Sequence, residues 1–215
     1  MSSVKPKLYY VYDPMCSWCW GYKPVWQKVK QALTDDVEVV YVLGGLAPDT
    51  DEPMPEMMQA QIASYWKKIE NFLGTQFNYE FWTENTPRRA TYPACRAILA
   101  AREQGAGETM LDAIQVAYYT QAKNPSVHVV LMALAKDIGL DIVKFETDFL
   151  ALKTHQALLT EIRFARSIGG NSFPSLFLVK DDKSVEIPVD YKDADVTIAL
   201  IKMRVNTDKT GISVR

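Results

Sequence analysis

The sequence predicts an α/β fold in which two strand-bearing ends form one layered structure and a long helical segment is inserted between the second and third strands. Three observations carry this. Residues 7–43 read as strand, helix, strand. The next hundred residues show almost only helical periodicity. Strand character then returns at Ser175 and is followed by a hairpin partner and a last helix. The expected organisation is an α/β domain made of residues 1–50 and 155–215, with residues 51–154 as a helical insertion domain. A chain of 215 residues can bury a core of this kind.

Lys7 to Tyr12 is rich in aromatic and β-branched residues and stops at Asp13-Pro14, which predicts a strand. Val25, Val29 and Leu33 recur at helical spacing, giving a helix from about Ser17 to Leu33, with a kink or a late start expected at Pro24. Val37 to Leu43 is apolar enough for a central strand and ends at Gly44-Gly45. This β-α-β opening should set two parallel strands in one sheet. Pro48, Pro53 and Pro55 mark a loop. Beyond it Met58, Ile62, Tyr65, Trp66, Ile69 and Leu73 form one apolar face, Cys95, Ile98 and Leu99 a second, and Leu111, Ile114 and Tyr118 a third. Further helical stretches run over 127–138, 142–152 and 155–168, with Asn124-Pro125 and Gly139 as breaks. Ser175 to Val179 is the third strand. A turn at Asp181-Asp182-Lys183 leads to a partner strand from Ser184 to Val189, with Pro188 at its end. A last helix capped by Asp193 carries Val196, Leu200 and Met203, and residues 206–215 read as a polar tail.

Composition narrows the function classes. The chain is 48% hydrophobic and 23% charged, and its net charge of −2 gives no electrostatic footprint for nucleic acid or anionic membranes. No apolar run approaches the roughly 20 residues needed to cross a bilayer. After Met1 to Lys7, an acid and a proline cut the apolar run short, so no signal-peptide core is expected and the sequence as given reads as cytoplasmic. With three cysteines, Cys16, Cys19 and Cys95, it is no disulfide-stapled scaffold. A zinc site would need a fourth ligand, and Cys95, His128 and His155 stand at no recognisable metal spacing.

The chemistry concentrates at Cys16-Ser17-Trp18-Cys19. Cys16 follows a strand and opens a helix, where unpaired N–H groups and the macrodipole favour an anion and so a thiolate. Residues i and i+3 of a first helical turn lie within the separation a disulfide tolerates. Cys16, at the exposed edge, is the expected attacking thiol, and Cys19, one turn in, the expected resolving thiol. Near the other end, Pro174 leads into a strand although it cannot donate to the ladder. Either a cis bond after Phe173 or an ordinary trans turn accounts for it. Asp13 reads as a turn residue or as an auxiliary acid. Cys95, after Pro93 at a helix start, reads as a small buried hydrophobe or as a third reactive thiol. Of the aromatic residues around the pair, Trp18 is the one expected to be exposed.

The stretch from Tyr12-Asp13-Pro14-Met15 through the cysteines to Trp20-Gly21, with Gly169-Gly170-Asn171-Ser172-Phe173-Pro174-Ser175-Leu176, resembles the DsbA-like branch of the thioredoxin superfamily. It is closest to the group described as predicted protein-disulfide isomerases or thiol oxidoreductases. Residues 88–101 and Asn124-Pro125-Ser126 resemble that group too. The resemblance covers nearly the whole chain and implies a thioredoxin-like fold with its large all-helical insertion between the second and third strands. It implies that Pro174 is a cis-proline facing the cysteines and that the backbone of Phe173 pairs with an extended substrate segment beside Ser17 and Trp18. Two features depart from the pattern. Tyr10 stands where thioredoxin and DsbA carry a buried acid, leaving Asp13 as the nearest acid. Ser17-Trp18 replaces the Pro-His or Gly-Pro between the cysteines, so the direction of electron flow does not transfer.

The expected function is therefore a thiol–disulfide oxidoreductase or isomerase acting on protein or small-molecule disulfides. It has no metal and no bound cofactor, with glutathione as candidate reductant or substrate and a redox partner the sequence does not name. The reducing poise of a cytosol, about −220 to −320 mV, favours reduction, isomerisation or repair over oxidation. The alternative is a glutathione-dependent isomerase or transferase of the kappa-class type. Its relatives usually replace the nucleophilic cysteine by serine, against which the retained pair argues. A non-catalytic binding module on the same scaffold is the third reading.

Overall fold

The computed structural model describes residues 5–181 and 183–207. Its elements are β1 (Lys7–Tyr12), α1 (Ser17–Ala32), β2 (Glu38–Leu43), α2 (Glu56–Leu73), α3 (Phe81–Glu84), α4 (Tyr92–Arg102), α5 (Gly107–Thr120), α6 (His128–Asp137), α7 (Ile142–Leu150), α8 (Leu152–Ser167), β3 (Ser175–Lys180), β4 (Lys183–Ile187) and α9 (Ala194–Thr207). The strands form one sheet in the order β2-β1-β3-β4. β1 pairs parallel with β2, with Tyr10 opposite Tyr41. It pairs antiparallel with β3, with Val11 opposite Ser175. β3 and β4 form an antiparallel hairpin.

The alternation of β1 decides the layers. Leu8, Tyr10 and Tyr12 turn to one face and join a core with Val25, Trp26 and Val29 of α1 and Ile201 of α9. Tyr9 and Val11 turn to the other, where Val42, Phe177 and Ala165 of α8 close a smaller cluster. The larger core runs on without a break into the inserted helices, through Trp66, Phe81, Ala94, Ile98, Met110, Tyr118 and Phe145. The fold is thus thioredoxin-like, with helices inserted between the second and third strands.

Several details differ from expectation. α1 begins at Ser17 and continues through Pro24, so there is no late start. α3 is a four-residue helix whose length is too short to leave a periodic signal. Ala151, extended at φ −66 and ψ 136, separates α7 from α8, so α8 begins at Leu152 and contains the expected 154/155 domain junction in its first turn. β4 ends at Ile187, one residue before Pro188. Asp193 caps α9, its carboxylate accepting the Asp195 N–H at 2.9 Å. The helix extends to Thr207, past the expected start of the tail. Residues 208–215, like Asp182 in the expected turn, lie outside the described residues.

Candidate active site

β1 delivers the chain to a tight turn, Asp13-Pro14-Met15, whose bond from the Cys16 N–H to the Asp13 carbonyl (3.1 Å) sets Cys16 as the N-cap of α1. Cys16 has an extended backbone there (φ −82, ψ 115). No side chain caps the helix and no acid lies in its first turn, so nothing competes with the thiol for the positive end of the helix. Cys16 is buried, with 8% of the residue exposed, less than the open edge expected, because the loop before β3 lies against it. Cys16 Sγ meets the Phe173 carbonyl oxygen at 3.4 Å, across 157 residues of sequence. Phe173 is half-buried, Pro174 is buried, and the bond between them is cis. Since β3 starts at Ser175, opposite Val11 of β1, the missing N–H of Pro174 interrupts no ladder bond.

Cys19 is 1% exposed, and all three cysteines are free thiols. Burial pushes the Cys19 thiol well above its usual range, and the neighbouring Cys16 adds to this. Cys19 also borders a cavity of about 140 Å³ lined in part by Tyr10, Lys23, Tyr41 and Asp112, with Lys23 and Asp112 paired at 2.7 Å.

Asp13 holds the turn with one carboxylate oxygen and turns the other inward. Oδ1 accepts the Met15 N–H at 2.8 Å and holds the turn. Oδ2 faces inward and accepts the Leu46 N–H at 2.7 Å, the Thr91 hydroxyl at 2.7 Å and the Cys95 thiol at 3.7 Å. The side chain is fully buried. Burial raises its carboxyl above the ordinary range, and these hydrogen bonds, led by Leu46 and Thr91, oppose that. Its charge is also felt at Cys19. Cys95, fully buried on α4, is thus more than a small hydrophobe, since its thiol is tied to that carboxylate. Burial first, then the charge of Asp13, pushes the thiol well up.

Trp18 is half-buried rather than exposed, because its ring packs edge-on against Tyr191 at 5.0 Å. Ser17 beside it is also half-buried. Tyr10, at the position of the missing acid, is buried and stacks on Trp26 at 4.4 Å. Burial raises its phenol well above the usual range, followed by the charges of Cys19 and Cys16, so it stands as a neutral wall behind the pair.

Two contributors escaped the sequence reading. Arg166, near the end of α8, donates to the carbonyls of Gly170 and of Gly44 (3.0 Å for Gly44), and its guanidinium lies 5.2 Å from the centre of the Phe173 ring. It therefore ties the Phe173 loop to the end of β2. Tyr119 of α5 is fully buried with its hydroxyl unpartnered among the described residues, within the electrostatic reach of both thiols. No motif signals either one, because both act from helices remote in sequence. Among the described residues, no group of three or more His, Cys, Asp or Glu is placed to hold a metal ion. No described helix is long and apolar enough to cross a membrane.

A family model described as "Thioredoxin" matches residues 9–195. Among curated proteins, the ClpXP adapter protein SpxH of Halalkalibacterium halodurans is 23% identical over 84% of this chain and 60% of its own length. The chain thus spans less than two thirds of the length of the first curated relatives it matches. Among solved structures, a protein of Nitrosomonas europaea with the inferred designation of protein disulfide isomerase superposes with a TM-score of 0.82. It is 27% identical, covering 96% of this chain and 100% of that one. The cytosolic disulfide reductase DsbM of Pseudomonas aeruginosa superposes at 0.76 with 22% identity, covering 94% and 99%, and has also been solved with GSH.

Proposed function

From the premise that the chain belongs to this thioredoxin family, we propose that it is a thiol–disulfide oxidoreductase working through Cys16 and Cys19. The observation that carries the reading is the thiol of Cys16 at the bare N-terminus of α1, 3.4 Å from the Phe173 carbonyl oxygen, with Cys19 buried in the same turn. The Cys16 thiolate attacks one sulfur of a substrate disulfide. A mixed disulfide forms and the other substrate sulfur leaves as a thiolate, which takes up a proton. Cys19 then gives up its proton and attacks Cys16 Sγ. The second substrate thiol is released and a Cys16–Cys19 disulfide remains, so the substrate gains the two electrons the pair loses. Asp13, whose charge is felt at Cys19, is the auxiliary group that, as the ionised carboxylate, receives this proton as a base. Two molecules of glutathione, oxidised to their disulfide, would return the pair to the dithiol. The solved DsbM complex with GSH supports naming glutathione. The cis-proline loop aligns an extended substrate segment along the Phe173 backbone. Disulfide reduction or isomerisation in a reducing compartment is the activity that fits, on protein or small-molecule disulfides.

The test is insulin reduction with glutathione or dithiothreitol as electron donor. Wild type accelerates it, Cys16→Ser abolishes the acceleration, and Cys19→Ser accumulates a mixed disulfide. Equal rates for wild type and Cys16→Ser would overturn the reading. The match to SpxH adapters favours a second reading, protein binding without redox turnover. Under that reading Cys16→Ser keeps its partner and neither form reduces insulin.

A further inference from the structure

Two grooves open beside Trp20 and Trp18, the residues on either side of Cys19 in the chain, and meet at Phe72. One, of about 660 Å³, runs along α1 beside the end of α2 and includes Lys28 and Lys192 in its walls. The other, of about 680 Å³, lies between Trp18 and α2 and includes Lys68. The edge-on packing of Trp18 on Tyr191 joins them. Gly21 brings the helices close enough to form the channel, since a Cβ there would stand 2.9 Å from Ile69 and 3.0 Å from Leu73.

The walls hold five lysines and no aspartate or glutamate, on a chain whose net charge is −2. Lys23 and Lys67 are neutralised by Asp112 and Glu70. Lys28 and Lys68 are exposed and make no ion pair among the described residues, and the Lys192 ammonium lies over the Phe72 ring at 4.0 Å. Phe72 itself remains 47% exposed. The surplus of cations left by Lys28 and Lys68 beside the part-exposed Phe72 ring is complementary to carboxylates interleaved with apolar side chains. Length then distinguishes a polypeptide from a small thiol. Trp18 to Lys28 spans ten residues of α1, about 15 Å at the helical rise, which matches four or five residues of extended chain.

We propose that this groove docks an acidic, aromatic-containing segment of a protein substrate next to the disulfide being attacked. The proposal rests on the dithiol reading above and adds to it the substrate class. Proteins whose disulfides have acidic neighbours are preferred over those with basic ones.

The experiment uses two peptides with the same disulfide, one flanked by Glu-Phe-Glu and the other by Lys-Phe-Lys. At low salt the acidic peptide is reduced with a kcat/KM about tenfold higher, and the gap narrows as salt screens the lysines. In Lys68→Glu/Lys192→Glu the preference inverts, an outcome that damaged folding does not produce. Equal rates for both peptides in wild type overturn the groove and leave the dithiol reading standing. If neither peptide is reduced, the dithiol reading fails, and the groove is judged by fluorescence anisotropy with cysteine-free versions of the same peptides. Tighter binding of the acidic one supports it and equal binding overturns it. Displacement of that peptide by glutathione at equal concentration also overturns it, because the lysines then serve a small carboxylate ligand.

Discussion

At the scale of single residues, the site is a set of acids held in their protonated direction by burial. Cys19, Cys95 and Asp13 are all raised, desolvation being the first cause in each. The sign of the consequence follows from linkage. Between the ordinary thiol range near 8.5 and the raised native values, the unfolded chain has lost protons that the folded chain retains, so stability falls as pH rises. Each such thiol steepens the fall by about 1.4 kcal/mol per pH unit. Urea midpoints measured from pH 7 to 10 should drop more steeply for wild type than for Cys19→Ala. Parallel curves would mean that Cys19 is not shielded as described. The pair at 16 and 19 was legible in the sequence because spacing and position mark it. The inward oxygen of Asp13 was not, since its partners Leu46, Thr91 and Cys95 belong to segments that only the fold brings together.

Among elements, the decisive contact is the loop before β3 lying on the end of β2. Gly44 is required there, because a Cβ would fall 1.9 Å from Phe173 Cε1. In Gly44→Ala the ring must move and carry its carbonyl away from Cys16. A stability loss of about 1–3 kcal/mol is expected from overpacking, with insulin reduction slowed about tenfold or more by the misplaced loop. Thermal melts and initial rates check both, and an unchanged rate would show that the Phe173 carbonyl is not needed. All four strands and most helices could be read from periodicity and turn residues. The elements misjudged were those without a repeating pattern: the single turn of α3, the one-residue break at Ala151, and the exposure of Trp18, which depends on Tyr191 arriving from the far end of the chain.

For the whole molecule, the inserted helices and the sheet share one hydrophobic core, so they should unfold as a unit. Trp66, fully buried in α2, probes this. Trp66→Ala should cost about 3–5 kcal/mol and lower the denaturation midpoint in a single transition, with hydrogen exchange in β1 accelerated along with that in α5. Two separated transitions would show instead that the helices of 51–154 form an independent domain. Helical periodicity did not reveal this continuity, since it shows which face is apolar and not what covers it. The contact between Cys16 and Phe173 also has a meaning in time. The carbonyl that shelters Cys16 is made 157 residues after the cysteine itself. At a synthesis rate of about 5–20 residues per second, the nascent dithiol stands without that shelter for roughly 8–30 s. Throughout that interval the dithiol of each new copy is open to any disulfide or oxidant it meets, so its shelter is a late property of the fold.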